Sequence, residues 1–70
     1  MPIFDCQLFW AKNVKIGKRQ QREILDPKDG HYLLTHLNDM LTGLHRKPEP
    51  GIELVVYKKG TWDVVSRVKI

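Results

Sequence analysis

One amphipathic helix near the middle of the chain limits what the rest of the sequence can form. Apolar residues recur there at offsets of 0, 1, 4, 7, 8 and 11, namely at Leu33, Leu34, Leu37, Met40, Leu41 and Leu44. At about 100° per residue they fall within one arc of about 120°. Asp26 and Pro27 are typical helix start signals, and Gly43 is a stop signal, so we predict a helix over residues 27–42. Because only one side of this helix is apolar, it needs a flat partner.

The flat partner is predicted from three runs of alternating or β-branched residues. Residues 52–57 and 62–70 flank a turn at Lys58, Lys59 and Gly60, and residues 4–10 place their even-numbered apolar side chains on one face. Residues 18–25 are predicted as an edge strand, with a short helix as the alternative because they contain good helix formers. The predicted order is β-β-α-β-β. This is a two-layer α+β fold, with one helix packed on one face of a four-stranded, largely antiparallel sheet.

The register of the C-terminal hairpin is predicted from which side chains must face the helix. A two-residue loop would send Asp63 into the core, so we predict a three-residue loop that pairs Val56 with Trp62 and Leu54 with Val64. The residues expected to face the helix are Ile52, Leu54, Val56, Trp62, Val64, Val68 and Ile70. Those expected to face outward are Glu53, Val55, Tyr57, Asp63, Val65, Arg67 and Lys69.

Size and cysteine content exclude several classes of protein. A chain of 70 residues buries only about 60% of its unfolded surface, which predicts a single domain over residues 1–70 without a cofactor domain. The lone Cys6 excludes an intramolecular disulfide and favours a cytoplasmic location. The opening residues lack the basic region of a signal peptide, and no apolar run reaches the roughly 18 residues of a membrane span. We therefore expect no membrane association.

Catalytic and metal-binding patterns are missing from the sequence. His31, His36 and His45 have no i, i+4 spacing that would place two imidazoles together, and Cys6 lies on a predicted core face. Ser66 falls at an inward position of a strand, and the glycines are isolated rather than grouped in a phosphate-binding loop. We therefore predict a non-enzymatic protein without catalytic residues, cofactor, metal or small-molecule substrate. The pattern fits neither an RNA-recognition sheet, nor a helix-turn-helix, nor an OB-fold, and it leaves room for a less common binding fold.

Positive charge is concentrated in the predicted sheet. The net charge is +3 over residues 1–25, −2 over residues 26–44 and +3 over residues 45–70. The predicted hairpin over residues 12–22 contains no acidic residue, and its basic residues are Lys12, Lys15, Lys18, Arg19 and Arg22. Such a hairpin can neutralise phosphates, although a charged edge strand also prevents pairing with other molecules.

Two hypotheses for function follow. In the first, an outward patch of Val55, Tyr57 and Val65, rimmed by Arg67, docks on a larger protein or on a second copy of the chain. This describes a small adaptor or inhibitor, the kind of chain found as an accessory protein of phage or other mobile elements, and a homodimer through the sheet face or an edge strand is expected with it. In the alternative, the basic residues of the 12–22 hairpin bind nucleic acid or a nucleoprotein.

Overall fold

The computed structural model describes residues 2–70 and confirms the predicted α+β fold. Within these residues four strands and one helix follow one another in the order β-β-α-β-β. Their bounds are β1 Ile3–Trp10, β2 Val14–Glu23, α1 Gly30–Gly43, β3 Ile52–Lys58 and β4 Val64–Lys69. At 14 residues, α1 is neither long nor apolar enough to cross a membrane, and no other helix is found in the described part of the chain.

The four strands form a single antiparallel sheet in the order β2-β1-β3-β4, so β1 and β3 are central and β2 and β4 are edges. The basic segment that the sequence left open is a strand, because β2 continues to Glu23. Its second half pairs with β1, with Gln20 opposite Cys6 and Arg22 opposite Phe4. These ladder hydrogen bonds outweigh the helix propensity of the residues, which is only a few tenths of a kcal/mol each, up to about 0.7.

The helix begins three residues later than predicted. Asp29 is its N-cap, and the Asp29 side chain accepts a hydrogen bond from the N–H of Tyr32 at 3.2 Å. Asp26 instead accepts a hydrogen bond from the N–H of Lys28 at 3.1 Å in the preceding turn. Both aspartates have cap chemistry, and the sequence pattern does not distinguish them.

The C-terminus of the helix is closed by a Schellman motif rather than by a glycine. Gly43 belongs to α1, and His45 takes the left-handed conformation with φ 55°. The N–H of Arg46 donates to the carbonyl of Leu41 at 2.9 Å, and that of His45 donates to Thr42 at 3.0 Å. These two bonds satisfy carbonyls that have no partner within the helix.

The core lies between α1 and the inner face of the sheet. The apolar stripe of the helix supplies four buried residues, which are Leu33, Leu37, Met40 and Leu41. The strands and the segment after β2 supply Cys6, Leu8, Ile16, Ile24, Ile52, Leu54 and Val56. These are mostly the even-numbered strand positions, so the alternation expected from the sequence is confirmed for the central strands.

The predicted register of the C-terminal hairpin is wrong by four residues. Leu54 pairs with Val68 rather than Val64, because a long connection over residues 59–63 replaces the predicted three-residue loop. A shift of four preserves the alternation of faces, so Leu54 and Val68 still face α1. The connection is closed by a hydrogen bond from the N–H of Lys58 to the carbonyl of Asp63 at 2.9 Å.

An irregularity in β4 corrects three further predictions. The pairing shifts between Val56 and Tyr57, so that Tyr57 lies opposite Val64 and Val65 is the extra residue. Val65 therefore packs against the core instead of facing outward, and Val64 is exposed instead of facing the helix. Trp62, predicted inward, lies in the connection and is 68% exposed.

Candidate functional site

The sheet surface opposite α1, called here the outer face, is partly covered by its own side chains. It carries the odd-numbered residues of the two central strands, and among these Asp5, Gln7, Val55 and Tyr57 are buried. The cover comes from Arg19 on β2 and from the 59–63 connection that follows β3. A second, smaller packed layer is thus built on the outer face.

Arg19 ties this layer together. Its Nε and Nη2 donate to Oδ2 of Asp5 at 3.0 and 2.6 Å, and Nη2 also donates to the carbonyl of Thr61. The N–H of Gly60 donates to the same Asp5 oxygen at 3.0 Å. These bonds fasten the connection to the sheet, and the hydrogen bond from Gly60 followed by that from Arg19 lowers the pKa of Asp5 below its usual value.

Two aromatic rings enclose the Arg19 guanidinium. Its central carbon lies 4.3 Å from the centre of the Trp62 ring and 4.6 Å from that of Tyr57. The two rings meet edge to face at 5.6 Å and 81°, and Nζ of Lys15 lies 6.0 Å from the Trp62 ring. The Trp62 ring is therefore held in place by neighbours while most of its surface stays exposed. We call Asp5, Arg19, Tyr57 and Trp62 the Arg19 cluster.

Exposed basic side chains lie on the same face of the sheet as this cluster. The pairing places Lys15, Phe9, Glu53 and Lys69 in one row across the outer face, and Arg67 lies in the next row opposite Val55. Within residues 2–70 the ion pairs are Arg19 with Asp5 and Arg22 with Asp39, so the cations of these two rows have no carboxylate within 4.0 Å. Their charge is available to a ligand.

A groove of about 400 Å³ opens at the end of these rows. It runs between the β1–β2 turn and the ends of β3 and β4, and its lining residues are Ala11, Lys12, Asn13, Gly51, Glu53, Arg67 and Lys69. Ala11 and Lys12 both have positive φ, at 47° and 75°. Side chains other than glycine pay about 1–2 kcal/mol for this conformation, so the turn that carries Lys12 is strained.

This strain gives a first prediction. We expect Lys12→Gly to raise the free energy of unfolding by about 0.5–1 kcal/mol, because relief of the left-handed conformation exceeds the entropy that glycine adds to the unfolded chain. Lys12→Ala is the matched control, since it removes the same charge and keeps the Cβ. Urea unfolding of both variants measures the difference, and equal stability of the two would show that the turn is not strained.

The basic residues predicted as one hairpin surface are divided between the two faces of the sheet. Arg19 belongs to the outer face, and Lys15 reaches the Trp62 ring. Lys12 lines the groove, and Lys18 is exposed in the irregular stretch of β2. Arg22 points to α1 instead, where its Nε donates to Nδ1 of His36 at 3.2 Å. Side-chain alternation along β2 is the physical reason for the division.

The predicted protein-docking patch is not assembled. Val55 and Tyr57 are on the outer face as expected, but they are only 3% and 7% exposed. Val65 is turned to the core, so Arg67 alone of the four candidates is exposed on the outer face. The sequence analysis did not identify Trp62 as a surface residue. It also did not identify Asp5 as the residue that holds Arg19 and the 59–63 connection on the outer face. An acidic residue in the middle of an apolar strand was the available signal.

The remaining reactive groups have structural surroundings. Burial raises the pKa of the Cys6 thiol to about 11. Burial, and then the charge of Arg22, lowers the pKa of His36, which accepts the Arg22 hydrogen bond. Over residues 2–70, no three His, Cys, Asp or Glu side chains are grouped as metal ligands.

The outer face therefore combines a fixed, exposed indole with free basic side chains and a groove. Its interpretation depends on this chemistry alone, because the chain matches no protein-family model, no curated protein and no solved structure.

Proposed function

We propose that the protein is a non-enzymatic module that binds single-stranded nucleic acid across the outer face. The observation that carries the proposal is the Trp62 ring, 68% exposed and held against Arg19 beside free basic side chains. Aromatic side chains on a basic surface are the standard means of binding a single strand without sequence preference, and each stacked base contributes about 1–3 kcal/mol. Trp62 stacks on a base, and the basic rows neutralise phosphates.

The exposed ring favours an unpaired strand over a duplex. A base must be free of its partner and of its neighbours before an indole can stack on it. Within residues 2–70 the one helix, α1, packs on the opposite side of the sheet from Trp62. A duplex bound at Trp62 would therefore not have α1 in its major groove.

The distribution of charge agrees with this choice of surface. The helix and its leading turn carry three aspartates, Asp26, Asp29 and Asp39, and one lysine. Among residues 2–70, the outer face and its groove carry four cations without an ion-pair partner, which are Lys12, Lys15, Arg67 and Lys69. A polyanion is therefore steered to the outer face and away from the helix.

Protein docking, the first hypothesis from the sequence, has less support than nucleic-acid binding. Its apolar patch is buried under the Arg19 cluster at Val55 and Tyr57 and is turned to the core at Val65. A contact through Trp62 itself remains the competing use of the outer face, and the experiment below separates the two.

Fluorescence of the two tryptophans tests the proposal. Trp10→Phe leaves Trp62 as the sole tryptophan, and Trp62→Phe leaves Trp10, which packs against the core. We expect single-stranded oligonucleotides to quench Trp62 strongly and Trp10 little, because only Trp62 can stack on a base. We also expect Trp62→Ala to weaken binding by about tenfold or more, with Trp62→Phe intermediate.

A duplex of the same sequence is the control ligand, and it should quench Trp62 less than the single strand does. Equal quenching of Trp10 and Trp62, or an unchanged affinity in Trp62→Ala, would contradict the proposal. Absence of binding to DNA and RNA at low salt would return protein docking to first place.

A further inference from the structure

The groove at the β1–β2 turn is separate from the Arg19 cluster. The cluster is formed around Tyr57 at one end of β3, whereas the groove is lined by Glu53 four residues earlier on the same strand. At about 3.3 Å per residue, Tyr57 and Glu53 are about 13 Å apart along the strand. A ligand that contacts both must be extended.

The groove has the charge of a phosphate site. Lys12, Arg67 and Lys69 line it with a single carboxylate, that of Glu53, and none of the three cations has an ion-pair partner within 4.0 Å in the described residues. Asn13 adds a side-chain amide, and Gly51 adds backbone without a side chain. Arginine and lysine are the side chains that recognise phosphate most often, through paired hydrogen bonds and through charge.

The strained turn adds a second, independent observation. Lys12 is held at the groove in a left-handed conformation, although glycine or asparagine would fit that position with less strain. Strained residues that persist in a fold are concentrated at binding sites, where the geometry serves the ligand.

We infer that this groove is a phosphate subsite for the strand whose base stacks on Trp62. The inference depends on the proposed function and adds a length requirement to it. A stacked strand advances about 3.4 Å per nucleotide, so the span from Tyr57 to Glu53 corresponds to about four nucleotides, and to fewer if the strand is stretched. A strand must therefore exceed a minimal length to contact both the Trp62 ring and the groove.

The test compares a short and a long ligand on one variant. The probes are adenosine dinucleoside monophosphate and adenosine hexanucleotide, both without terminal phosphates, in DNA and RNA forms. The variant is Arg67→Gln with Lys69→Gln in the Trp10→Phe background, so that Trp62 quenching reports binding. The control is Lys47→Gln with Lys58→Gln, which removes the same charge at two exposed residues that do not line the groove.

We expect the groove variant to bind the hexanucleotide about fivefold to tenfold more weakly and the dinucleotide within about twofold of the parent. The plot of the logarithm of the hexanucleotide binding constant against the logarithm of salt concentration should also become less steep, by about 0.7 in slope for each lost phosphate contact. Equal losses for both probes would show general electrostatics and overturn the subsite while leaving the proposed function intact. An unchanged hexanucleotide affinity would overturn it in the same way. If neither probe quenches Trp62, the proposed function and the subsite are overturned together.

Discussion

Reversing the free charges of the outer face is expected to abolish nucleic-acid binding and to leave the fold intact. The variant is Lys15→Glu, Arg67→Glu and Lys69→Gln, with glutamine at position 69 because a glutamate there would face Glu53 across the strands. Three phosphate contacts correspond to a salt slope of about −2 for a single strand. Because two of the contacts become repulsive, we expect the affinity at low salt to fall by more than about a hundredfold.

Fluorescence anisotropy of a labelled single strand at several salt concentrations measures this loss. The matched control is Lys47→Glu, Lys58→Glu and Lys28→Gln, which changes the net charge equally at exposed positions away from the outer face. Glutamine at position 28 keeps a donor for the Val65 carbonyl, which Lys28 contacts. A loss in the control as large as in the variant would mean that net charge alone attracts the strand. A variant that still binds would place the ligand elsewhere on the protein. Circular dichroism confirms folding in both.

Arg19→Ala is expected to have the largest effect on stability of the substitutions on the outer face. Within residues 2–70 it leaves the buried Asp5 carboxylate with the Gly60 N–H as its remaining donor, and it removes the cation that both aromatic rings contact. A buried acceptor that loses its charged partner is strongly destabilising. We expect the melting midpoint to fall by roughly 5–10 °C.

Thermal unfolding of Arg19→Ala and of Lys15→Ala distinguishes two effects. One is loss of the bond to Asp5, and the other is loss of a cation near the Trp62 ring. Lys15 also lies near the ring, at 6.0 Å, but it has no bond to Asp5, so its removal should change the midpoint little. In the Trp10→Phe background, Arg19→Ala should also lower the fluorescence anisotropy of Trp62, because the 59–63 connection is released from the sheet. A double-mutant cycle with Asp5→Ala should be non-additive, and additive effects would refute the pairing.

Acid provides a second readout of the same cluster. The folded-state pKa of Asp5 lies below its ordinary value of 3.8, owing to the Gly60 hydrogen bond and then to Arg19. A group with a depressed folded pKa contributes its stabilisation fully above the unfolded value, and the contribution is lost as the pH falls through the folded value. Stability should therefore decrease below about pH 4. Asp5→Asn should be less stable at neutral pH and show a weaker decrease in acid.

Local pattern was enough to define the two layers. Leu33, Leu37 and Leu41 repeat at helical spacing, and Leu8 and Leu54 belong to alternating runs. The apolar side of the helix and that of the sheet can therefore both be identified from the sequence. Even the wrong hairpin register preserved the correct face for Leu54, because a shift of four residues is a multiple of the strand period.

The candidate site depended on contacts that local pattern does not contain. Arg19 and Thr61 are 42 residues apart, and Gly60 and Asp5 are 55 apart, yet one carboxylate joins Arg19 and Gly60 on the outer face. This happens because β1 is placed between β2 and β3, which brings the edge strand and the 59–63 connection to the same side of Asp5. Strand order depends on long-range pairing, so the sequence marks Asp5 as an acidic residue in an apolar strand but does not show which residues cover it.

Local sequence pattern was sufficient for the order of the elements, the apolar faces of α1, β1 and β3, and the excess of positive charge in the sheet. The tertiary structure decided which charges share a surface: alternation along β2 sends Arg22 to the helix and Arg19 to the outer face. It also decided where Trp62 lies, because one extra residue at Val65 and a long connection turn the indole away from the core. A single bulge changes the face of every residue beyond it, and the side-chain period of two carries no signal for where a bulge occurs.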